Sequence, residues 1–556
     1  MSLLSELRRR NVLKVAFVYI VAAALFYWLA VVLQTQMHLP WWTSRLVGIL
    51  FFVGFPVALI FAWVYEITPA GLKKAVEVDQ TQSIVFKTGQ KLNAALAVLV
   101  VLAAVAMIAD RLLPELAVVE PPPVPERVFD APVGANVPAE IRSFVLDNGL
   151  KIIVWPDHDI PNVVMYNFVR AGSRNEYPGI TGLAHFFEHM MFNGTEKREP
   201  GEFDRVMEAA GGANNAYTSS DVTVYMDWFP RSALETIFEL ESDRLANLAI
   251  TPELLESERG VVASERRLRV DDDNFWKLYE QMLATAYVAH PYQFPVIGWP
   301  SDIAAWTIED LEKFFGTYYA PNNCLMVFAG DITPGEIFTL AEDYLEDIPA
   351  EEPPAPVRTV EPEQSGERRI VVEAPAQTPL LQIAFHAGSV TDPRTLPMEL
   401  LLNILVGGDS SRLHRLLVEE LELAISVGGF QGEGFDPSLV YFYLTLPPGG
   451  DPRAVEQALM QALNDVATSG VDDSELQKAR NIVLANFWRE MATIDGKAST
   501  LGNFEVFHGS YEKLFDLPAD IDKVSNEQIR DVAASVFRPG NATIGILVPA
   551  TPEGEE

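Results

Sequence analysis

The sequence predicts an α+β region made of two homologous domains, each an antiparallel sheet with helices packed on one face, preceded by an N-terminal bundle of transmembrane helices. Three observations carry this. Near the N-terminus, Val15 to Leu33, Leu46 to Tyr65 and Ala94 to Ala109 are almost purely apolar, the first two at membrane-spanning length. Beyond residue 140 the apolar period switches repeatedly between that of a strand and that of a helix. Trp306 to Asp331 and Val524 to Pro549 align without a gap, each opening on a helix-start box (Thr307 with Asp310, Ser525 with Gln528) and carrying Pro-x-Asn ahead of a strand.

At 556 residues the chain is too long for one domain and suggests roughly three or four structural units. Its 41 Lys and Arg against 76 Asp and Glu give a net charge of −35, which argues against nucleic acid or an anionic lipid surface as the main partner. The single Cys324, in the apolar stretch NNCLMVFAG, excludes an internal disulfide framework and reads as core packing in a strand.

In chain order, residues 1–113 form a membrane module with spans at 15–33, 46–65 and 94–109. Arg8, Arg9, Arg10 and Lys14 precede the first span, and Lys73, Lys74, Lys87 and Lys91 lie between the second and third. The positive-inside rule places both groups in the cytoplasm, so three spans leave the rest of the chain outside, in the periplasm of a bacterial inner membrane. Gln34 to Trp42 offers no small-residue cleavage site, so the first run reads as a retained anchor. Residues 114–139 form a proline-rich linker, 140–348 a first domain, 349–366 a second linker, 367–550 a second domain and 551–556 a tail.

The first domain opens with two extended runs, Phe144 to Trp155, around Asp147-Asn148-Gly149, and another strand at Val163 to Val169. The stretch GLAHFFEHMMFNGT, Gly182 to Thr195, follows as a buried helix. It puts His185, Glu188 and His189 on one face, and three polar groups in an apolar setting call for a common partner. His-x-x-Glu-His is the inverted zinc-peptidase signature, with Glu188 free to act as base, and it needs a third, distant ligand. An amphipathic helix from about Pro252 to Arg269 offers two: Glu258 and Glu265 sit two turns apart among Leu254, Leu255, Val261, Val262 and Leu268, while Glu256 and Arg266 read as a solvated face.

These residues resemble the pitrilysin, insulin-degrading enzyme and mitochondrial processing peptidase family, the inverzincins. The resemblance implies that Glu265 is the third zinc ligand, one zinc per chain, and that Glu258 orients the site. It implies that Asn215, Ala216 and Tyr217 lie on an edge strand that pairs with an extended peptide substrate. It also implies that the two domains form half of a clamshell. The internal offset carries His185 and His189 to Asn403 and Gly407, so the second copy holds no zinc.

In active relatives the facing half supplies an arginine and a tyrosine that bind the substrate carbonyl. The aligned positions here are Val418 and Ile425, which cannot donate a hydrogen bond. The resemblance therefore implies a heterodimer with a second family member carrying that pair. The reading is a membrane-anchored zinc endopeptidase subunit; its rival is a non-catalytic assembly or chaperone-like subunit that keeps the fold.

Overall fold

The computed structural model describes residues 134 and 136–550, together with isolated positions between 12 and 55 and the segments 65–68 and 71–74. The chain divides into two units, Met1–Glu126 and Arg127–Glu556. In the first, β1 (Tyr65–Thr68) pairs with β2 (Gly71–Lys74) as an antiparallel hairpin. The expected spans at 15–33, 46–65 and 94–109 lie, apart from isolated positions, outside the described residues, as do the linker up to residue 133 and the tail. No helix among the described residues is long and apolar enough to cross a membrane.

The second unit holds two sheets. Six strands, β3 (Arg142–Val145), β4 (Lys151–Pro156), β5 (Asn162–Val169), β6 (Ala213–Thr218), β7 (Thr223–Pro230) and β8 (Cys324–Gly330), lie in the order β3-β4-β8-β5-β7-β6. Five more, β9 (Arg368–Ala374), β10 (Leu380–His386), β11 (Ser426–Gln431), β12 (Leu439–Thr445) and β13 (Ala542–Pro549), lie in the order β11-β12-β10-β13-β9. Dropping β3, the two orders are the same. The helices before β8 and β13 start from capping boxes at Thr307 with Asp310 and at Ser525 with Gln528, so both copies satisfy the same orphan backbone N–H groups in the same way.

Two sequence expectations are corrected. The sheets are mixed, because β4 runs parallel to β8 and β9 parallel to β13. Helices also cover both faces of each sheet, because the two halves exchange one helix. Asn274–Ala286, from the first half, lies on the second sheet, packing Leu278 and Met282 against Ala384, Tyr441 and Leu547. Ile494–His508, from the second half, lies on the first sheet, packing Ala498 and Leu501 against Val164, Phe168 and Val327. Both seats are tight: a Cβ on Gly502 would meet the Phe168 ring at 2.0 Å, and one on Gly545 would meet Met282 Sδ at 2.5 Å. Asp495 adds polar pins, accepting from Tyr166 Oη at 2.8 Å and Trp228 Nε1 at 2.5 Å.

Candidate metal centre

The helix that carries His185, Glu188 and His189 is α1 (Leu183–Met190), with Leu183, Ala184, Phe186, Phe187 and Met190 buried around it. Its first turn is fixed from outside: the Glu176 carboxylate accepts from the backbone N–H of Gly182 at 2.7 Å and of Ala184 at 2.8 Å. Gly182 has φ +89° and stands so near Ile297 O that a Cβ would meet it at 2.6 Å. That close approach packs α1 onto the loop at Ile297, with the histidine face turned toward α2 (Pro252–Arg266).

His185, His189 and Glu265 each direct one ligand atom into a space in which all three atoms lie within 4.8 Å of one another. Glu265 Oε2 is 3.2 Å from His189 Nε2 and 3.5 Å from His185 Nε2, and as a buried atom it has no hydrogen-bond donor. Two imidazole nitrogens and an orphaned carboxylate oxygen are a donor set that fits zinc and leaves a position open. Glu265 Oε1 faces away, 3.1 Å from the exposed Arg269.

The second glutamate stands behind the ligands. Glu258 is buried, its Oε1 is 2.8 Å from His189 Nδ1, and its Oε2 accepts from Asn193 Nδ2 at 2.5 Å. With Nδ1–H donated to that carboxylate, Nε2 keeps its lone pair toward the site. Burial opposes charge on His189, but the Glu258 hydrogen bond and the nearness of the Glu258 and Glu265 charges prevail and raise its pKa to about 9. Burial, then the His189 charge, lowers His185 to about 4. The Glu258 and Glu265 carboxyls both sit below the ordinary range, the latter chiefly through the close approach of His189.

Glu188 lies on the same face of α1, and burial raises its carboxyl above the ordinary value against a 2.6 Å hydrogen bond from Thr218 Oγ1. Thr218 ends β6, the edge strand that carries Asn215, Ala216 and Tyr217. These three line, with Glu188 and both histidines, a cavity of about 780 Å³. The Asn215 side chain accepts from the Ala216 N–H at 2.9 Å, which blunts the open edge. Across the cavity stand Trp276, Tyr279, Phe430 and Tyr441, so its far wall comes from the second sheet and the helix laid on it.

Sequence reasoning placed the site residues on these elements but misread α2. Arg266 is buried, not solvated: its guanidinium is clasped by Glu280 at 2.7 and 3.0 Å and donates to Gly298 O. Leu268 and Val261, expected on the apolar stripe, are 73% and 47% exposed. The stripe that packs is Leu255, Glu258, Val262 and Arg266, polar at two positions because each charge meets a partner, His189 for Glu258 and the buried Glu280 for Arg266. Asn193, Thr218 and the aromatic wall had no local signal. Val418 and Ile425 lie at the π-turn Arg415–Glu420 and just ahead of β11, Ile425 exposed.

The fold has relatives among known proteins. Residues 157–298 match the family model described as insulinase (peptidase family M16), and residues 305–483 the one described as peptidase M16 inactive domain. Over 405 residues the chain is 28% identical to the zinc protease PqqE of Helicobacter pylori, covering 71% of this chain and 91% of that protein. The uncharacterized zinc protease YmxG of Bacillus subtilis is 23% identical over 407 residues, covering 71% and 96%. The crystal structure of a protease from Helicobacter pylori superposes with a TM-score of 0.71 at 27% identity, covering 74% of this chain and 99% of that one. The periplasmic protease PqqL from Escherichia coli shares the fold at a TM-score of 0.62 and 20% identity, over 76% of this chain and 50% of that one. The α+β pair of sheets is an M16-like half-clamshell, and the chain belongs to the M16, insulinase-type family of inverzincins.

Proposed function

We propose that this chain is the zinc-bearing subunit of a membrane-anchored endopeptidase that hydrolyses peptides or unfolded polypeptide segments. The observation that carries the reading is the convergence of His185, His189 and Glu265 beside Glu188, on the wall of a cavity that also exposes a sheet edge. One zinc per chain, bound by those three residues, would supply Lewis acidity and an acidified water. Glu188, with its raised pKa, is suited to take a proton from water in the cavity and return it to the leaving amine, while Thr218 holds one of its oxygens in place. Glu258 and Asn193 fix the orientation of His189. Asn215, Ala216 and Tyr217 offer a strand edge on which an extended peptide adds.

Val418 and Ile425 supply no hydrogen-bond donor to a carbonyl, so the reading includes a second family member that brings an arginine and a tyrosine. The apolar runs at the N-terminus would anchor the chain in a bacterial inner membrane with the peptidase region in the periplasm. The test is peptide turnover by the purified full chain, alone and with candidate partners. Slow turnover alone, zinc-dependent turnover with a partner and none in Glu188→Gln is the expected result. Efficient turnover by the homogeneous chain overturns the partner requirement. Absence of both zinc and turnover in every mixture overturns the peptidase reading in favour of a non-catalytic assembly subunit.

A further inference from the structure

The cavity carries a second chemistry on the wall opposite the metal ligands. Phe430 and Tyr441 face each other across β11 and β12, their rings stacked at 5.6 Å and 8°, and Tyr279 closes on Tyr441 at 5.0 Å. Trp276 joins the group at 5.3 Å from Tyr279; it and Phe430 leave 47% and 38% of their surface open. Tyr441 is 2% exposed, yet it lines the cavity and its hydroxyl has no hydrogen-bond partner. Just past the end of β11, Glu433 borders both this cavity and a smaller one of about 320 Å³ that Glu399 also lines.

Neither carboxylate has a cation paired with it among the described residues. Both side chains are exposed at the cavity rims; beyond the partial desolvation there, the charge of Glu433 acts on Glu399 and that of Glu490 on Glu433, each raising the carboxyl. The wall therefore presents acceptors without donors, negative charge without a counter-charge, and open ring faces. An apolar occupant would leave the carboxylate and the Tyr441 hydroxyl unmatched, and an acidic one would be repelled. A cation that donates hydrogen bonds satisfies all three at once.

We infer that this wall is a subsite for a basic side chain, lysine or arginine, of the peptide substrate: Glu433 pairs its charge, Phe430 and Trp276 offer ring faces, and Tyr441 accepts a hydrogen bond. The inference rests on the peptidase reading above. Its placement fits a peptide added to β6. Tyr217, on that strand, lines the same cavity as Glu433, and burial with the Glu433 charge raises its hydroxyl to about 12, so the subsite lies in the cavity that the substrate edge borders. Alternate side chains of an added strand point to one face, so every second residue of the peptide is placed to reach one wall of the cavity.

The test uses the full-length Glu188→Gln chain loaded with zinc and fluorescein-labelled peptides that differ at one central position: lysine, norleucine or glutamate. Fluorescence anisotropy is expected to show the lysine peptide binding roughly tenfold tighter than the norleucine one. Glu433→Lys should reverse the order in favour of glutamate, and Tyr441→Phe should narrow the lysine preference. Glu256→Lys makes the same charge change on an exposed helix face and should leave the preference in place. Equal binding of lysine and norleucine peptides, or a loss of preference in Glu256→Lys as large as in Glu433→Lys, overturns the subsite. Cleavage by the wild-type chain is scored separately. Turnover without charge preference overturns the subsite and leaves the peptidase reading standing, whereas charge-selective binding with no turnover, alone or with any candidate partner, supports the subsite and contradicts that reading.

Discussion

The two sheets repeat one strand order but bury different kinds of side chain. The first half of the sequence contributes the buried Asp221, Asp227, Glu241, Arg244, Arg266 and Glu280, along with His185 and Glu258. Among the described residues after 367, the one buried acidic or basic side chain is Glu505, and it sits on the helix laid on the first sheet, paired with Lys151 at 2.7 Å. The topology evidently stands without buried charge, since Leu381, Phe385, Leu401 and Phe442 and their neighbours suffice for the second core. Charge burial is costly, so its concentration in one copy marks where the fold serves chemistry. The second copy keeps the scaffold, lacks the histidines and supplies the cavity wall instead.

The largest effect expected from breaking this asymmetry lies at the metal. His185→Ala should abolish zinc binding and turnover together, while Glu188→Gln should keep the metal and lower turnover on the order of 10² to 10⁴; metal analysis beside a peptide assay separates them. Next in size is the missing donor pair. A partner that brings the arginine and tyrosine should raise turnover by on the order of 10² to 10³ per donor, and partner variants lacking either residue measure that step.

A third prediction compares the two cores. Arg244, 1% exposed, pairs with Glu241 at 2.5 Å and lies over the rings of Phe192, Phe203 and Tyr225. Arg244→Ala leaves Glu241 and Asp227 buried without a counter-charge and should cost about 3–5 kcal/mol in urea unfolding. Leu401→Ala in the second core should cost about 2–5 kcal/mol through its cavity. The distinction is that only Arg244→Ala should also lower zinc affinity, because Phe192 directly follows the metal helix.

How much of this could be read from the sequence follows from the range of each interaction. His185, Glu188 and His189 declare themselves because a helix brings i, i+3 and i+4 together, and the hairpin at Asp147-Asn148-Gly149 because a turn is local. Arg266 was unreadable because its burial depends on Glu280, a turn and a helix away, and Leu268 because the helix gives way to the π-turn Arg267–Asp271, which leaves it exposed. The far wall was unreadable for a stronger reason: Trp276 and Phe430 come from different halves and line one cavity only because the halves exchange helices. Choosing Glu265 over Glu258 also lay beyond spacing alone, since both face α1 and the difference is whether a carboxylate meets both Nε2 atoms or one Nδ1.

The smallest effect concerns the seam between the halves. Asp221 is raised to about 6 from 3.8, chiefly by burial and against the pull of Arg174 and Tyr292, while Arg174 also pairs with Asp436 of the second half. A carboxyl with a raised folded pKa binds its proton more tightly folded than unfolded. Its contribution therefore makes stability fall as pH rises from about 4 to 6 and stay level above. Asp221→Asn should remove that component, so the difference in unfolding free energy between wild type and variant should change between pH 4 and 6 and be flat from pH 7 to 8. A difference that is flat throughout contradicts it.

The most direct test of the account is the zinc content of three purified full-length chains measured side by side: wild type, Glu258→Gln and Glu265→Ala. The account predicts about one zinc per chain in wild type, retention with weakened affinity in Glu258→Gln, and none in Glu265→Ala. Zinc kept by Glu265→Ala and lost by Glu258→Gln would contradict the assignment of ligand and supporting residue, and with it the proposed metal centre.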